Sequence, residues 1–259
     1  MGDELLYEVR EDIGWVTFNR PAARNALTFA MYERLGEICA AQTASPTLRA
    51  MVLTGAGDKA FAAGTDINQF RAFTGPEDAI AYEERLDQVT DTIERCPVPM
   101  IAAIAGACTG GGAGIAACCD IRIAAANLRF GFPIARTLGN CLSMGNLARL
   151  SALIGPARVK EIIFTARLVE AQEAKDAGLI SEFLPDHAAL LDRAEALARV
   201  IAANAPLTLR ATKEGLRRLR TGHAADADKD LILLCYLSQD FREGMEAFLS
   251  KRSPQWRGL

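Results

Sequence analysis

The order of apolar and polar positions divides the chain into two regimes. Short apolar runs alternate with amphipathic stretches up to about residue 125, and helical spacing dominates from Gly145 onward. Residues 5–10 and 13–19 alternate around Asp12 and Gly14, which predicts a hairpin. A helix is predicted from Thr28 as its N-cap, with Ala30, Met31, Leu35 and Ile38 on its apolar face. A buried strand over 50–53 is closed by Thr54-Gly55-Ala56-Gly57. The small-residue loop Phe61-Ala62-Ala63-Gly64-Thr65-Asp66 then leads into a short helix over 67–70, which Asp66 is placed to cap. The spacing over 76–95 predicts a long amphipathic helix, stopped by Cys96-Pro97-Val98-Pro99; on it Asp87, Asp91 and Glu94 read as solvated. Strands are predicted over 121–125 and near 128–130.

The segment 100–117 predicts a buried strand, a turn at Gly106, a glycine loop at Thr109-Gly110-Gly111-Gly112 and a buried helix. Glycines at a helix start let unpaired backbone N–H groups approach a ligand closely, and the helix dipole favours negative charge there. An anionic group, or one that becomes anionic, is therefore expected at Gly110–Gly112.

Beyond residue 145 the pattern predicts helices over 147–154, 156–164, 171–177, 187–204, 206–220 and 224–249. Pro156 and Pro206 suit first turns, and Gly178 and Gly222 suit helix ends. The division expected is an α/β part over 1–200 and a helical part over 201–259, with no low-complexity linker between them.

Composition narrows the chemistry. Half of the 259 residues are hydrophobic, and 29 Lys and Arg against 32 Asp and Glu give a net charge of −3, which argues against nucleic acid as the main partner. No apolar run is long and uninterrupted enough to span a membrane. Seven cysteines without a CxxC pair, after an MGDELLYEVR start that carries no secretory signal, fit reduced buried thiols in a cytoplasmic protein. The only histidines are His187 and His223, which leaves little for a histidine metal site or triad; no metal is expected.

Three motifs fail on their context. Gly112-Ala113-Gly114-Ile115-Ala116-Ala117 fits a loose dinucleotide fingerprint, but the next strand ends Ala124-Ala125-Ala126-Asn127 without the acid that holds ribose hydroxyls. Gly57-Asp58-Lys59 lacks the ending of a phosphate-binding P-loop. Ser143, in Cys141-Leu142-Ser143-Met144-Gly145, lacks the first glycine of a nucleophile elbow and reads as a helix N-cap.

The surviving motifs come in a specific order: Asn19-Arg20-Pro21 with Arg24-Asn25-Ala26-Leu27; Leu53-Thr54-Gly55; Phe61-Ala62-Ala63-Gly64-Thr65-Asp66-Ile67; residues 99–106; Gly110-Gly111-Gly112; Cys119-Asp120; Phe130; Pro133; residues 174–179; and Arg242-Glu243-Gly244-Met245-Glu246-Ala247-Phe248. On these the chain resembles the enoyl-CoA hydratase/isomerase (crotonase) family over essentially its whole length. The resemblance implies an α/β crotonase spiral of β-β-α turns with two roughly perpendicular sheets, and C-terminal helices that assemble homotrimers, often paired into hexamers. It implies an acyl-CoA substrate and no separate cofactor. The backbone N–H groups of Thr65 and Gly111 would stabilise a thioester enolate, which agrees with the anion site read from the glycines. Ala63, Asp66, Ile67 and Asn68, with Gly110, would line the CoA, and Arg24 and Lys251 are candidates for its phosphates.

The same resemblance marks a departure. Family hydratases carry two catalytic glutamates; at the matching positions this chain has Gly114 and, after Pro133, Ile134. Shifting the register of residues 134–140 brings no carboxylate into place. Without positioned proton transfer, ordinary hydration is expected to be slow. Arg136, Thr137, Asn140, Cys141 and Ser143 remain as polar candidates around the acyl pocket. The reactions left open are hydration, isomerisation, decarboxylation and thioester hydrolysis, alongside a non-catalytic acyl-CoA-binding protein.

Overall fold

The computed structural model describes residues 3–44, 47–224 and 226–259. Strand β1 (Leu5–Arg10) pairs antiparallel with β2 (Ile13–Phe18), and the chain then runs through α1 (Phe29–Ala44) into β3 (Ala50–Gly55). From β3 onward each turn of chain sends one strand to each of two sheets and follows with a helix. The first turn is β3, β4 (Ala60–Ala62) and α2 (Pro76–Arg95); the second is β5 (Met100–Ile104), β6 (Ala107–Thr109) and α3 (Gly111–Cys118). The third is β7 (Ile121–Ala125), β8 (Arg129–Gly131) and α4 (Met144–Ile154). Beyond α5 (Pro156–Thr165) come β9 (Val169–Glu170), α6 (Ala171–Asp176) and β10 (Glu182–Leu184), then α7 (His187–Ala202) and α8 (Pro206–Arg220). The larger sheet has the order β1-β2-β3-β5-β7-β10 and the smaller β4-β6-β8-β9; both are mixed, with the antiparallel pairs at one edge.

Alternation along the central strands explains why they read as unbroken apolar runs. Met51 and Leu53 of β3 and Met100, Ala102 and Ile104 of β5 enter the main core with α1, α2 and α3. Ala50, Val52, Ile101 and Ala103 face the other way, where Leu190, Ala194 and Ala198 of α7 cover them. Successive side chains of a strand point to opposite faces, so a strand buried on both has no polar position to spare.

Two expectations are corrected. The helix over 224–249 is two helices among the described residues, α9 (Lys229–Tyr236) and α10 (Gln239–Leu249); Ala225 lies outside the described residues. Ser238 makes the break: its side chain caps α10 by accepting the Phe241 N–H at 2.9 Å. The acids Asp87, Asp91 and Glu94 are not merely solvated. Asp87 accepts a hydrogen bond from Ser143 Oγ at 2.7 Å, while Arg149, its side chain only 3% exposed, pairs with Asp91 and Glu94 at 2.9 Å each. These contacts fasten α2 to α4. Ser143 is the N-cap of α4, as its setting suggested.

Candidate active site

Two glycine-bearing turns, one after β4 and one after β6, meet at the mouth of the smaller sheet. Gly64 has φ +102°, and Gly110 has φ +51° with ψ −122°, backbone states that side chains strongly disfavour. The turns touch closely enough that a Cβ on Gly110 would lie 3.4 Å from the Gly64 Cα. The donors within each turn are sorted by what they already hold. Ala63 N–H donates to Arg24 O at 3.1 Å, Asp66 N–H to Leu27 O at 2.8 Å and Gly110 N–H to Gly131 O at 3.1 Å. The N–H groups of Thr65 and of Gly111, the first residue of α3, have no acceptor among the described residues. Two unspent donors side by side at a helix N-terminus suit an oxygen that gains negative charge.

The first turn is held from behind by Asn25, which is fully buried. Its amide donates to Ala60 O at 2.6 Å and Ala56 O at 3.1 Å, and its Oδ1 accepts the Arg20 N–H at 3.0 Å. Asp66 caps the 3-10 turn Ile67–Ala72 by accepting the Asn68 N–H at 3.1 Å, and it pairs with Arg20 Nη2 at 2.9 Å. The Asn68 N–H, and after it Arg20, hold the Asp66 carboxyl below the usual range. A depressed folded-state pKa contributes stability that is present above the unfolded pKa and lost as pH falls through the folded one. Asp66→Ala is therefore expected to cost about 1 kcal/mol at neutral pH. In denaturant titrations that gap should close as pH drops below about 4.

Both donors open onto a cavity of about 230 Å³. Its walls come from the two turns, from α1 and α2, and from the stretch after Pro133, with Phe70, Leu86, Phe132 and Leu142 supplying apolar surface. Tyr32 Oη lies 2.9 Å from Thr65 Oγ1, which lies 3.0 Å from Tyr82 Oη. Three hydroxyl protons serve two internal bonds, so one proton of this chain is left to donate outward. Burial raises the pKa of both tyrosines, that of Tyr82 to about 12, so both stay protonated donors.

Of the residues singled out in the sequence, Ala63, Thr65, Ile67, Gly110, Gly111, Gly114, Ile134, Asn140 and Cys141 line this cavity. Gly114 and Ile134 are buried in its wall; beside Gly114, a Cβ would stand 3.5 Å from Asn146 Oδ1, a buried acceptor without a partner. Arg24 is exposed in a left-handed conformation (φ +51°) next to Ala63, and Asp66 and Asn68 form the adjoining turn outside the cavity wall. Arg136 is exposed and does not line the cavity, and Lys251, just past α10, is exposed and not brought to it within this chain. Tyr32, Tyr82, Glu83 and Asn146 went unremarked in the sequence. They sit on three different helices, and the one available signal was a tyrosine and an acid on the inner stripe of 76–95. No group of three or more potential metal ligands occurs among the described residues, and none of their helices is long and apolar enough to cross a membrane.

Comparison with known proteins bears directly on this geometry. The family model described as enoyl-CoA hydratase/isomerase matches residues 8–258. The crotonyl-CoA hydratase of Syntrophomonas wolfei is 34% identical over 96% of each chain, and the short-chain-enoyl-CoA hydratase of Clostridium acetobutylicum is 33% identical over the same shares. The crystal structure of an enoyl-CoA hydratase/carnithine racemase from Magnetospirillum magneticum superposes with a TM-score of 0.91 at 35% identity, covering 100% of this chain and 97% of that one. The spiral fold expected from the motifs is thus the fold observed.

Proposed function

The chain belongs to the enoyl-CoA hydratase/isomerase family, and on that premise we propose that it processes an acyl-CoA thioester through an enolate held by the backbone N–H groups of Thr65 and Gly111. The observation that carries this reading is the pair of unspent donors at one cavity, flanked by the engaged N–H groups of Ala63, Asp66 and Gly110. As the thioester oxygen gains charge, fixed donors in a partly dry site stabilise it without reorganising; one such donor typically contributes ~3 kcal/mol. The spare hydroxyl proton of the Tyr32–Thr65–Tyr82 chain adds a further dipole on the same side. CoA itself would run past Ala63–Asn68, with Arg24 at the rim, and Lys251, from this subunit or another, toward the phosphates.

On this reading ordinary hydration, the activity named for the relatives, is expected to be slow. Gly114 and Ile134 occupy the positions that carry glutamates in family hydratases, and neither can hold or deliver water. Family isomerases also use the second of these positions, so the reading leaves hydration, isomerisation, decarboxylation and thioester hydrolysis open, with an acid–base group, where one is needed, drawn from elsewhere in the cavity. The same two residues favour a second reading, an acyl-CoA-binding protein without turnover. Exposed apolar side chains on the C-terminal helices, among them Tyr236, Leu237, Phe248 and Leu249, support assembly into a trimer or a pair of trimers.

Incubation with crotonyl-CoA and a panel of malonyl-type, aromatic and β-hydroxy acyl-CoAs, with products followed by mass spectrometry, separates these. Hydration of crotonyl-CoA is expected at ~10²-fold or more below that of a relative carrying both glutamates. Rapid hydration would show that the glutamate positions do not matter, binding without any product would favour the second reading, and failure to bind any thioester would remove both.

A further inference from the structure

Among the described residues that line the cavity, Glu83 is the one charged side chain. It stands on α2, and Leu86 and Thr90 line the same cavity, so the helix turns its 83/86/90 stripe toward the donors. The acids around it are occupied: Asp87 accepts from Ser143 Oγ at 2.7 Å, and Glu33 pairs with Arg85 at 3.2 Å. Glu83 has no hydrogen bond or ion pair among the described residues, although it is half-buried. A carboxylate in that position keeps acceptor capacity for something the protein itself does not supply. Burial, and after it the charge of Asp87, raises its affinity for a proton above that of an ordinary glutamate. Its own charge in turn raises the pKa of Tyr32 and Tyr82, which places it in the electrostatic neighbourhood of the Thr65 hydroxyl.

Resting on the acyl-CoA reading above, we propose that Glu83 is the acid–base group of this site, serving from α2 rather than from α3 or the turn after Pro133. Its carboxylate takes a proton from the carbon beside the thioester carbonyl. The C–H electron pair moves into the carbonyl to give the enolate, whose oxygen faces the Thr65 and Gly111 N–H groups. The proton now on the Glu83 oxygen either exchanges with solvent or returns to carbon, which restores the thioester. No oxidant or second reactant is needed, so the step can be read without knowing the overall reaction.

Butyryl-CoA in heavy water isolates this step, because a saturated thioester has no double bond to hydrate. Proton NMR reads loss of the α-methylene signal, and calorimetry reads binding of the same ligand. The unaltered protein is expected to exchange the α-protons. Glu83→Gln should bind butyryl-CoA with the same affinity and exchange ~10²–10⁴-fold more slowly. Glu83→Asp should fall between the two, and Glu84→Gln, on the exposed side of α2, should match the unaltered protein. Equal exchange in the unaltered protein and Glu83→Gln overturns the assignment and leaves the acyl-CoA reading standing, as does bound butyryl-CoA with no exchange at all. A protein that does not bind butyryl-CoA overturns both.

Discussion

Gly111→Ala is expected to lower turnover of the acyl-CoA substrate by ~10²–10³-fold, the size of effect that follows loss of one preorganised donor. A Cβ at this position would overlap the Tyr32 hydroxyl and stand 3.1 Å from Thr65 Oγ1. Tyr32 is only 2% exposed and its hydroxyl is tied to Thr65 Oγ1, so relieving the overlap breaks that bond or shifts the start of α3, where the donor is. Overpacking of this kind also costs about 1–3 kcal/mol of stability. The double variant Gly111→Ala/Tyr32→Phe separates the two contributions. Removing the hydroxyl leaves the new methyl 3.2 Å from the Tyr32 ring carbon, so part of the stability should return. Turnover should not return fully, because the Thr65 hydroxyl has then lost a partner. Chemical denaturation and steady-state rates on the same three proteins check both halves; full activity in Gly111→Ala would remove Gly111 as a donor.

Asn25→Ala should give the largest loss of stability of any single change discussed. It strands the buried carbonyl of Ala60, the part-buried carbonyl of Ala56 and the backbone N–H of Arg20, and it puts alanine at φ +54°. Leaving buried polar groups unpaired and straining the backbone together cost about 2–4 kcal/mol, or a fall in Tm of roughly 5–15 °C for a chain of this size. Asn25→Asp should fare no better, since a carboxylate cannot donate to the two carbonyls. Because Ala60 belongs to the strand that leads into the Thr65 turn, activity should fail at temperatures where the fold still holds. Calorimetry alongside rate measurements at rising temperature tests this, and coincident loss of both would show that Asn25 serves the fold alone.

How much of this was legible beforehand depends on whether the signal is local. The helix Pro76–Arg95 was readable to the residue, because a proline opens it and Cys96-Pro97 closes it. The two donor turns were readable because glycine is required where backbones touch. The break at Ser238 was not, since serine inside an apolar periodicity gives no sign that its side chain will turn to cap the next helix. The three-residue strands Ala60–Ala62 and Ala107–Thr109 carry no alternation to detect. Glu83 was hidden by its company: in Glu83-Glu84-Arg85-Leu86-Asp87 it looks like one more solvated charge, and only the approach of α2 to the Thr65 turn sets it apart. The ties of Asp91 and Glu94 to Arg149 span more than fifty residues, beyond any local pattern.

The two unspent donors have a consequence for how this protein can change over generations. Both belong to the main chain, so every residue except proline supplies them; most substitutions can shift them but cannot delete them. A catalytic glutamate, by contrast, disappears with one base change. If these amides hold the thioester oxygen as proposed, that half of the site comes with the fold itself, anchored by Asn25 and by glycines whose replacement costs stability as well as activity. The proton-handling half rests on side chains, and with Glu83 in the role proposed it sits on α2 rather than on α3 or the turn after Pro133. A scaffold built this way separates the two tasks: the amides stay with the backbone, and changing a few side chains around them is enough to change which proton moves.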